Sequence, residues 1–252
     1  MNTVGKHDTL DRMIKTQQDI RRYTKQLNIL KTKIRATKND NDVSVTFALH
    51  WLKEKRNAVK SSMKIVPISE LSDWRYRSKE GIVRHNKGLD HFFSVQGVIV
   101  KNSAETEVSS WNQPILVQQH AGFLIMLCQE REGTVQFLLQ GRFEAGNIHA
   151  IQFGPTIQAT TSNLRLHHGG RKPLLSDYIA DTKSRLIYAA EHNEEGSRFW
   201  RKRNVNQLRL LSKDCALPHY DNFLWLTLPV IKKLMLYDNV VNPFVKTILC
   251  PL

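Results

Sequence analysis

The sequence lacks the marks of secreted, membrane and disulfide-stabilised proteins. Its three cysteines, Cys128, Cys215 and Cys250, lie far apart, and their odd number and spacing argue against a disulfide framework or a zinc knuckle. The longest apolar runs, such as 123–128, are too short to cross a bilayer, and residues 1–7 are polar. We therefore expect a cytoplasmic protein with no signal peptide and no membrane partner.

The glycine-rich loops that bind nucleotide cofactors are also missing. Neither a GxGxxG nor a GxxxxGK[ST] pattern occurs, and strands do not alternate with helices as they do in parallel dinucleotide-binding folds. The chain has 252 residues, of which 41% are hydrophobic and 24% charged, which is enough to bury a core. These proportions exclude a chain that is disordered throughout.

Positive charge is concentrated at the N-terminal end. The net charge is +14, and residues 1–64 contain 15 Lys or Arg against 6 Asp or Glu, so most of the excess lies there. The remaining body is only mildly basic and has no interleaved basic and aromatic motif, so we do not expect nucleic acid as its partner. A basic N-terminal helix that binds nucleic acid stays as a minor hypothesis, testable by its salt dependence.

The N-terminal segment predicts a long amphipathic helix. From Asp8 to Ala36 there is neither Pro nor Gly, and apolar residues recur every seventh position. These residues are Met13, Ile20, Leu27 and Ile34, and the positions three residues later are Thr16, Tyr23 and Leu30, of which two are apolar. The helix either lies on its own domain, pairs with a second copy as a coiled coil, or binds RNA or a membrane surface through its basic face. The polar stretch 37–44 follows as a linker.

The rest of the chain predicts an α+β body, and we divide the chain into residues 1–44 and 45–252. Short β-type runs cover about 91–100, 122–129, 134–142 and 150–158, and Glu132-Gly133 indicates a hairpin turn between two of them. Helices are expected at about 45–60, 176–182, 197–203 and 229–236. Thr227 is the expected cap of the last of these, with Pro229 in its first turn.

Several short motifs occur in a fixed order between about Phe47 and Pro251. They are WNQPI at 111–115, QGRFEAGN at 140–147, GPTIQATTSN at 154–163, HGG at 168–170, EEGSRF at 194–199, RKRN at 201–204, FLWLTL at 223–228 and DNVVN at 238–242. Each is weak alone. As an ordered series, they make the chain resemble the NDP-hexose 2,3-dehydratases.

This resemblance implies a substrate and a fold. The substrate would be a nucleotide-linked 4-keto-6-deoxyhexose, usually on dTDP, that loses water across C2 and C3 in deoxysugar biosynthesis. The fold would be a Nudix-like mixed sheet with flanking helices. The Glu-rich metal-binding helix of Nudix hydrolases is missing, so we expect no pyrophosphate cleavage, no catalytic metal and no cofactor.

The chain departs from the family pattern in three ways. Family members are usually about twice as long, with two related halves, so a homodimer would rebuild that arrangement and give the N-terminal helix a purpose. Arg142 and Ala145 replace the Lys and Pro usual around the acidic motif, and 192–195 replaces a more amide-rich segment. These departures motivate an alternative, a catalytically inert module that binds nucleotide sugars or assists a partner enzyme.

Three side chains are the candidates for proton transfer. Glu144, at the end of an apolar strand, is the first choice for the base, because a carboxylate in a dry pocket gains basicity. His168, with His167 as competitor, is the candidate acid or enolate donor. Glu194 is the second carboxylate. Each has a structural alternative: a turn-bonded Glu144, a solvent-facing His168, and a Glu194 that favours the next helix.

The substrate-binding candidates are polar, cationic or aromatic residues in the same motifs. Forked donors suit a diphosphate, although the run 201–203 cannot all face one ligand. Alternating polar residues from 158 share one face if that segment is extended, or form an exposed edge strand. The set is Trp111, Gln113, Arg142, Asn147, Gln158, Thr160, Asn163, Arg198, Arg201 and Arg203.

Overall fold

A computed structural model describes residues 16–35, 42–84, 93–101, 108–118, 120–160, 172–180 and 182–252. The helices are α1 (Gln17–Arg35), α2 (Asp42–Ala58), α3 (Leu228–Leu234) and α4 (Pro243–Leu249), with 3-10 turns at Ile68–Glu70 and Ser176–Ile179. None of these described helices is long and apolar enough to cross a membrane. The expected helix from Asp8 to Ala36 is confirmed over 17–35, and its remaining positions lie outside the described residues.

Eleven described strands form two sheets. They are β1 (Trp74–Arg77), β2 (Gly81–Arg84), β3 (Ser94–Lys101), β4 (Ser110–Val117), β5 (Gly122–Arg131), β6 (Thr134–Phe143), β7 (Ile151–Gly154), β8 (Ile157–Thr160), β9 (Ser184–Asn193), β10 (Arg203–Leu211) and β11 (Phe223–Thr227). The small sheet has the order β1-β2-β3-β4, and the large sheet β11-β6-β5-β10-β9. Only β5 and β10 run parallel, so the expected α+β class with a mixed sheet is confirmed.

The large sheet divides where β5 and β6 separate. The two strands form the predicted hairpin, and Glu132 and Gly133 both have positive φ, 51° and 75°, as a tight two-residue turn requires. Their pairing ends at Leu127 and Leu138. Beyond that point β8 pairs with β5 and β7 pairs with β6. The hairpin therefore opens into two arms.

Thr156 sits where the arms diverge. Its Oγ1 accepts a 2.9 Å hydrogen bond from the Leu127 amide and donates to the Leu138 carbonyl. Its side chain thereby replaces the backbone pairing that β5 and β6 give up. Thr156 is 1% exposed, so this bridge lies in the core. Because of it, both the Leu127 amide and the Leu138 carbonyl have a hydrogen-bond partner there.

The two faces of the large sheet bury different cores. Helices α2, α3 and α4 cover one face, where Met126, Phe137 and Leu208 are fully buried. The opposite face packs Ile125 and Leu138 against residues of the 3-10 turn and the loop before β11. Side chains alternate along β5 because neighbouring residues point to opposite faces of a strand.

Helix α1 lies on the helix-covered face of the body. Leu30 is 2% exposed in the same core as α2, and Tyr23, Leu27 and Ile34 pack against that core. Lys33 adds an ion pair of 2.7 Å with Glu130. These contacts support the first of the three interpretations of the helix, in which it packs on its own chain.

Four local predictions are wrong. The helix expected at 176–182 is a 3-10 turn at Ser176–Ile179. The segment 197–203 is a turn that leads into β10 rather than a helix, and its backbone bonds both to the carbonyl of Glu195 and to Leu116 of β4. The run 150–158 is two strands, because Pro155 interrupts it at the division of the sheet. Thr227 makes no capping hydrogen bond, and its Oγ1 is buried without a partner in the described structure.

We predict that Thr156→Val weakens the fold although it preserves volume. Valine leaves the Leu127 amide and the Leu138 carbonyl unpaired in the core, which costs about 1–3 kcal/mol of unfolding free energy. Chemical denaturation measures the loss. Thr247→Val, at an exposed position of α4, is the matched control and should change stability by less than about 0.5 kcal/mol. Equal effects of both substitutions would contradict the bridging role.

We predict that Glu130 stabilises the docking of α1 in a pH-dependent way. Hydrogen bonds from Lys213 and Lys33 lower the pKa of Glu130 from 4.5 to about 2. A depressed pKa gives stability that is present above 4.5 and is lost as the pH falls toward 2. The difference in Tm between the native chain and Glu130→Gln should therefore be largest near neutral pH and vanish in acid. The exposed Glu195→Gln should show no such trend.

Candidate functional site

A polar patch lies on the helix-covered face of the large sheet, where four strands align. In one row Ala190, Asn206, Leu124 and Gln158 stand side by side on β9, β10, β5 and β8. In the next row His192, Asn204, Gly122 and Thr160 do the same. Aligned residues of neighbouring strands share a face. We call Asn204, Asn206, Gln158 and Thr160 the polar patch.

The patch contains buried acceptors that the described chain does not satisfy. Asn206 is 1% exposed, and its Oδ1 has no hydrogen-bond partner in the described part of the structure. Oε1 of Gln158 also has no hydrogen-bond partner among the described residues. Gln158 on β8 and Asn206 on β10 flank Leu124 of β5 on its two sides. Buried polar atoms without partners cost free energy and are rare in cores. Such acceptors suit the hydroxyl groups of a ligand or a bound water.

Glu144 borders the patch on its β8 side. Its Oε1 accepts hydrogen bonds from Nε2 of Gln158 at 2.8 Å and from Nε of Arg142 at 3.3 Å. Its Oε2 accepts from Nδ2 of Asn242 at 3.0 Å. Three donors therefore fix this carboxylate. They come from β6, β8 and the start of α4, so Glu144 joins the two arms of the divided sheet.

Asn242 explains how α4 reaches the site. Its backbone pairs with Phe153 of β7, and its Oδ1 caps α4 by accepting from the amide of Phe244 at 2.9 Å. The side-chain oxygen of Asn242 thus caps α4, and its side-chain nitrogen donates to Glu144. Asn242 is 5% exposed, whereas Glu144 is partly exposed, so the buried amide holds a half-buried carboxylate.

Glu194 borders the patch on its β10 side. Its Oε1 accepts a 2.6 Å hydrogen bond from Nδ2 of Asn204. The amide of Glu194 donates to the carbonyl of Lys202, which extends the pairing of β9 and β10 by one row. Because β8 and β10 flank β5, the two carboxylates approach the patch from sides about 10 Å apart, two strand spacings.

Lys202 is a buried cation in this same row. It is 4% exposed, and its Nζ donates to the carbonyl of His120, two residues before Gly122. Burial lowers the pKa of Lys202, while the neighbouring Glu194 carboxylate opposes that shift. The site therefore contains two carboxylates, one buried ammonium group and several amides.

The arginines of the RKRN region point elsewhere. Arg198 is 72% exposed and pairs with Glu195, and Arg201 stacks on the ring of Trp200. Arg203 pairs with Glu191 at 3.0 Å on the face opposite to Asn204, because adjacent strand positions alternate. Arg142, by contrast, donates from its Nε to Glu144 at the border of the patch.

Trp111 and Gln113 support the loop that carries Glu194. The indole of Trp111 donates to Oε1 of Gln113 at 3.0 Å, and Nε2 of Gln113 donates to the carbonyl of Ser197 at 2.6 Å. The backbones of Leu116 and Arg198 are also bonded. These contacts attach the small sheet to the loop after β9, so both side chains support the loop that follows Glu194.

Asn147 shapes the turn after β6. Its side chain donates to the backbone carbonyl of Ala150 at 3.2 Å, and its backbone amide donates to the backbone carbonyl of Glu144. Ala150 has a positive φ of 60°, which this turn imposes. His168, His167 and Asn163 lie outside the described residues, in the segment that begins directly after Thr160.

Among the described residues, no group of three or more His, Cys, Asp or Glu side chains could hold a metal ion. The polar groups of the site are amides, an ammonium group and separate carboxylates. What they offer is proton transfer and hydrogen bonding.

Comparison with known proteins assigns the chain to a family. The sequence profile of NDP-hexose 2,3-dehydratases matches residues 46–252. This chain belongs to the NDP-hexose 2,3-dehydratase family. The match includes every element of the polar patch and both bordering carboxylates.

Three relatives share this similarity. They are the dTDP-4-dehydro-6-deoxy-alpha-D-glucopyranose 2,3-dehydratases of Amycolatopsis orientalis, Saccharopolyspora spinosa and Streptomyces violaceoruber, which are 33%, 32% and 33% identical to this chain. The alignments cover 76%, 79% and 80% of this chain but only 41%, 40% and 45% of the relatives. The chain thus spans less than half of their length.

One solved structure shows a distant likeness. The C-terminal domain of mouse MUTYH, solved in complex with human PCNA, aligns with 53% of this chain and 87% of its own length, with TM-score 0.33 and 14% identity. A likeness of that size does not define the fold.

Four residues of the site are not among the residues predicted from the sequence of this family member. Lys202 lies in the basic run 201–203, and no role is predicted for Asn204, Asn206 or Asn242, although the RKRN and DNVVN motifs contain the first and the last of these. The alternation Asn204, Asn206 within a strand was the available signal, because same-face residues recur every second position. No strand is predicted from the sequence over 203–211, so this alternation does not enter the prediction of the site.

We predict that Gly122 has to lack a side chain. A Cβ there would lie 2.2 Å from Oδ1 of Asn204, so Gly122→Ala should cost about 1–3 kcal/mol of unfolding free energy by overpacking. In an Asn204→Ala background the same change should cost much less. Gly97→Ala, where nothing lies within 4 Å, is the control and should be neutral. Additive losses in the double variant would contradict the proposed contact.

Proposed function

We propose that this chain removes water across C2 and C3 of an NDP-4-keto-6-deoxyhexose, in deoxysugar biosynthesis. Family membership supports the reaction class, and the names of the relatives support dTDP as the nucleotide. The observation that carries the proposal is the polar patch, which has buried unpaired acceptors and a carboxylate on each side. An elimination from a polyhydroxylated sugar needs both features.

The reaction requires a base, an oxyanion donor and an acid. The C4 ketone acidifies the hydrogen on C3, the electron pair moves onto the C4 oxygen as an enolate, and the 2-hydroxyl then leaves as water. No redox cofactor enters this scheme. A positioned base or acid contributes about 10²–10⁴-fold to the rate.

The contacts favour Glu194 over Glu144 as the base. A carboxylate whose oxygens already accept several hydrogen bonds has fewer lone pairs left to take a proton from a substrate. Glu144 accepts three such bonds, whereas the described residues place one side-chain donor on Glu194. We assign Glu144 to the positioning of Gln158, and we keep His168 as the proposed acid.

Binding of the nucleotide sugar falls to the residues around the patch. Gln158 and Thr160 line it, Arg142 and Asn147 border it through Glu144, and Asn163 follows in the chain. Arg198, Arg201 and Arg203 are proposed for the diphosphate only as an outer cationic rim, because their described partners are surface groups. Trp111 and Gln113 hold the Glu194 loop in place.

We also propose a Nudix-like fold, a homodimer and a cytoplasmic location. The divided β5–β6 hairpin, with β7 and β8 as inserted arms, supports the fold. The chain covers 41% of a relative's length, so a second copy would supply a comparable second unit. The three cysteines are free thiols, as a reducing compartment requires.

An inert binding module is the second candidate. The three donors on Glu144 favour it, because a carboxylate held in that way serves structure. Such a module would bind the nucleotide sugar through the same patch and leave it unchanged.

The deciding experiment uses dTDP-4-keto-6-deoxyglucose in deuterium oxide. We expect the purified chain to remove the 2-hydroxyl, observed by NMR and mass spectrometry. Glu194→Gln should slow the reaction about 10²–10⁴-fold, whereas the exposed Glu195→Gln should not. Binding without loss of the hydroxyl would support the inert module. A Glu194→Gln variant at native rate would refute the assignment of the base.

A further inference from the structure

Lys202 differs from every other lysine that the structure describes, because it alone is buried. Taking an ammonium group out of water is unfavourable unless partners compensate for it. Its described hydrogen bond goes to a single neutral acceptor, the carbonyl of His120, and one carboxylate, Glu194, is its charged neighbour. A neutral side chain such as Gln could satisfy that carbonyl at lower cost.

The alignment of the strands places this ammonium group beside the proposed base. The bond from the Glu194 amide to the Lys202 carbonyl makes the two residues direct cross-strand neighbours. Lys202 precedes Asn204 by two positions, so it shares the face of the patch. Side chains opposite each other on antiparallel strands begin about 4.5–5.5 Å apart.

That spacing matches the demand of the first chemical step. The hydrogen to be removed is on C3, and the oxygen that receives the charge is on C4, the adjacent carbon. A base and an oxyanion donor must therefore be neighbours rather than lie on opposite sides of the site. Glu194 and Lys202 meet this condition, whereas Glu144 lies on the far side of β5.

We propose that Lys202 is a further catalytic residue, whose ammonium group donates a hydrogen bond to the C4 oxygen while Glu194 takes the proton from C3. The C3–H bond breaks and its proton moves to Glu194. Its electron pair forms C3=C4, and the carbonyl pair moves onto the oxygen held by Lys202. The C4 carbonyl then re-forms, C2=C3 forms, and the 2-hydroxyl leaves with a proton from the acid. This inference rests on the proposed dehydratase function.

The test compares three substitutions of Lys202 in the full chain. Lys202→Gln keeps a donor for the His120 carbonyl and removes the charge, Lys202→Met keeps the alkyl length, and Lys202→Arg keeps the charge. Lys232→Met, on the exposed side of α3, is the control. The substrate is dTDP-4-keto-6-deoxyglucose in deuterium oxide, with deuterium entry at C3 and loss of the 2-hydroxyl measured separately. Thermal melting confirms that each variant is folded.

We expect Lys202→Gln and Lys202→Met to lower kcat for both steps by about 10²–10³-fold with little change in KM, as loss of an oxyanion donor does. Lys202→Arg should retain more activity than either. The proposal is overturned if the Gln variant keeps native kcat, because Lys202 would then serve only to hold the His120 carbonyl. It is also overturned if KM rises while kcat is unchanged, which would place the ammonium group on the diphosphate. A native chain that performs neither step would instead refute the dehydratase function, and this inference with it.

Discussion

The division of the β5–β6 hairpin is the constraint on which the site depends. Two strands that separate inside a core leave backbone groups unpaired, and Thr156 satisfies both at the point of separation. The separation admits β7 and β8, which bring Gln158 onto the helix-covered face and let Asn242 approach Glu144 from α4. Without the opening, β6 would continue along β5 in the place of β8, and Gln158 and Thr160 would not stand beside Leu124 and Gly122.

The polar patch then illustrates how a buried sheet face accommodates polar chemistry. Gly122 provides the space into which Asn204 turns, and Asn204 orients Glu194. On the other side, Gln158 and Asn242 fix Glu144. The two carboxylates differ in the number of donors they accept: three side chains hold Glu144, whereas one described side-chain donor reaches Glu194. The small sheet supports the site through Gln113, which donates to the carbonyl of Ser197 in the loop that carries Glu194.

Much of the fold was accessible from local sequence, and part of the site was not. The hairpin at Glu132-Gly133 follows from turn chemistry, and the long apolar strands follow from their composition. The helix expected at 197–203 failed because contacts with β4 override local helical preference there. Glu144 and Glu194 were identified by resemblance to a family, but their different hydrogen-bond environments were not, since Asn242 lies 98 positions away from Glu144 along the chain.

The sequence by itself determined the family, the α+β class, the helix over 17–35 and the motifs from which the site is built. The tertiary structure alone decided which polar residues stand side by side. Lys202 and Arg203 are consecutive and equally basic, yet one is buried beside Glu194 and the other lies on the opposite face with Glu191. Strand register and sheet order make that distinction. They arise from pairing between distant segments, which no local pattern encodes.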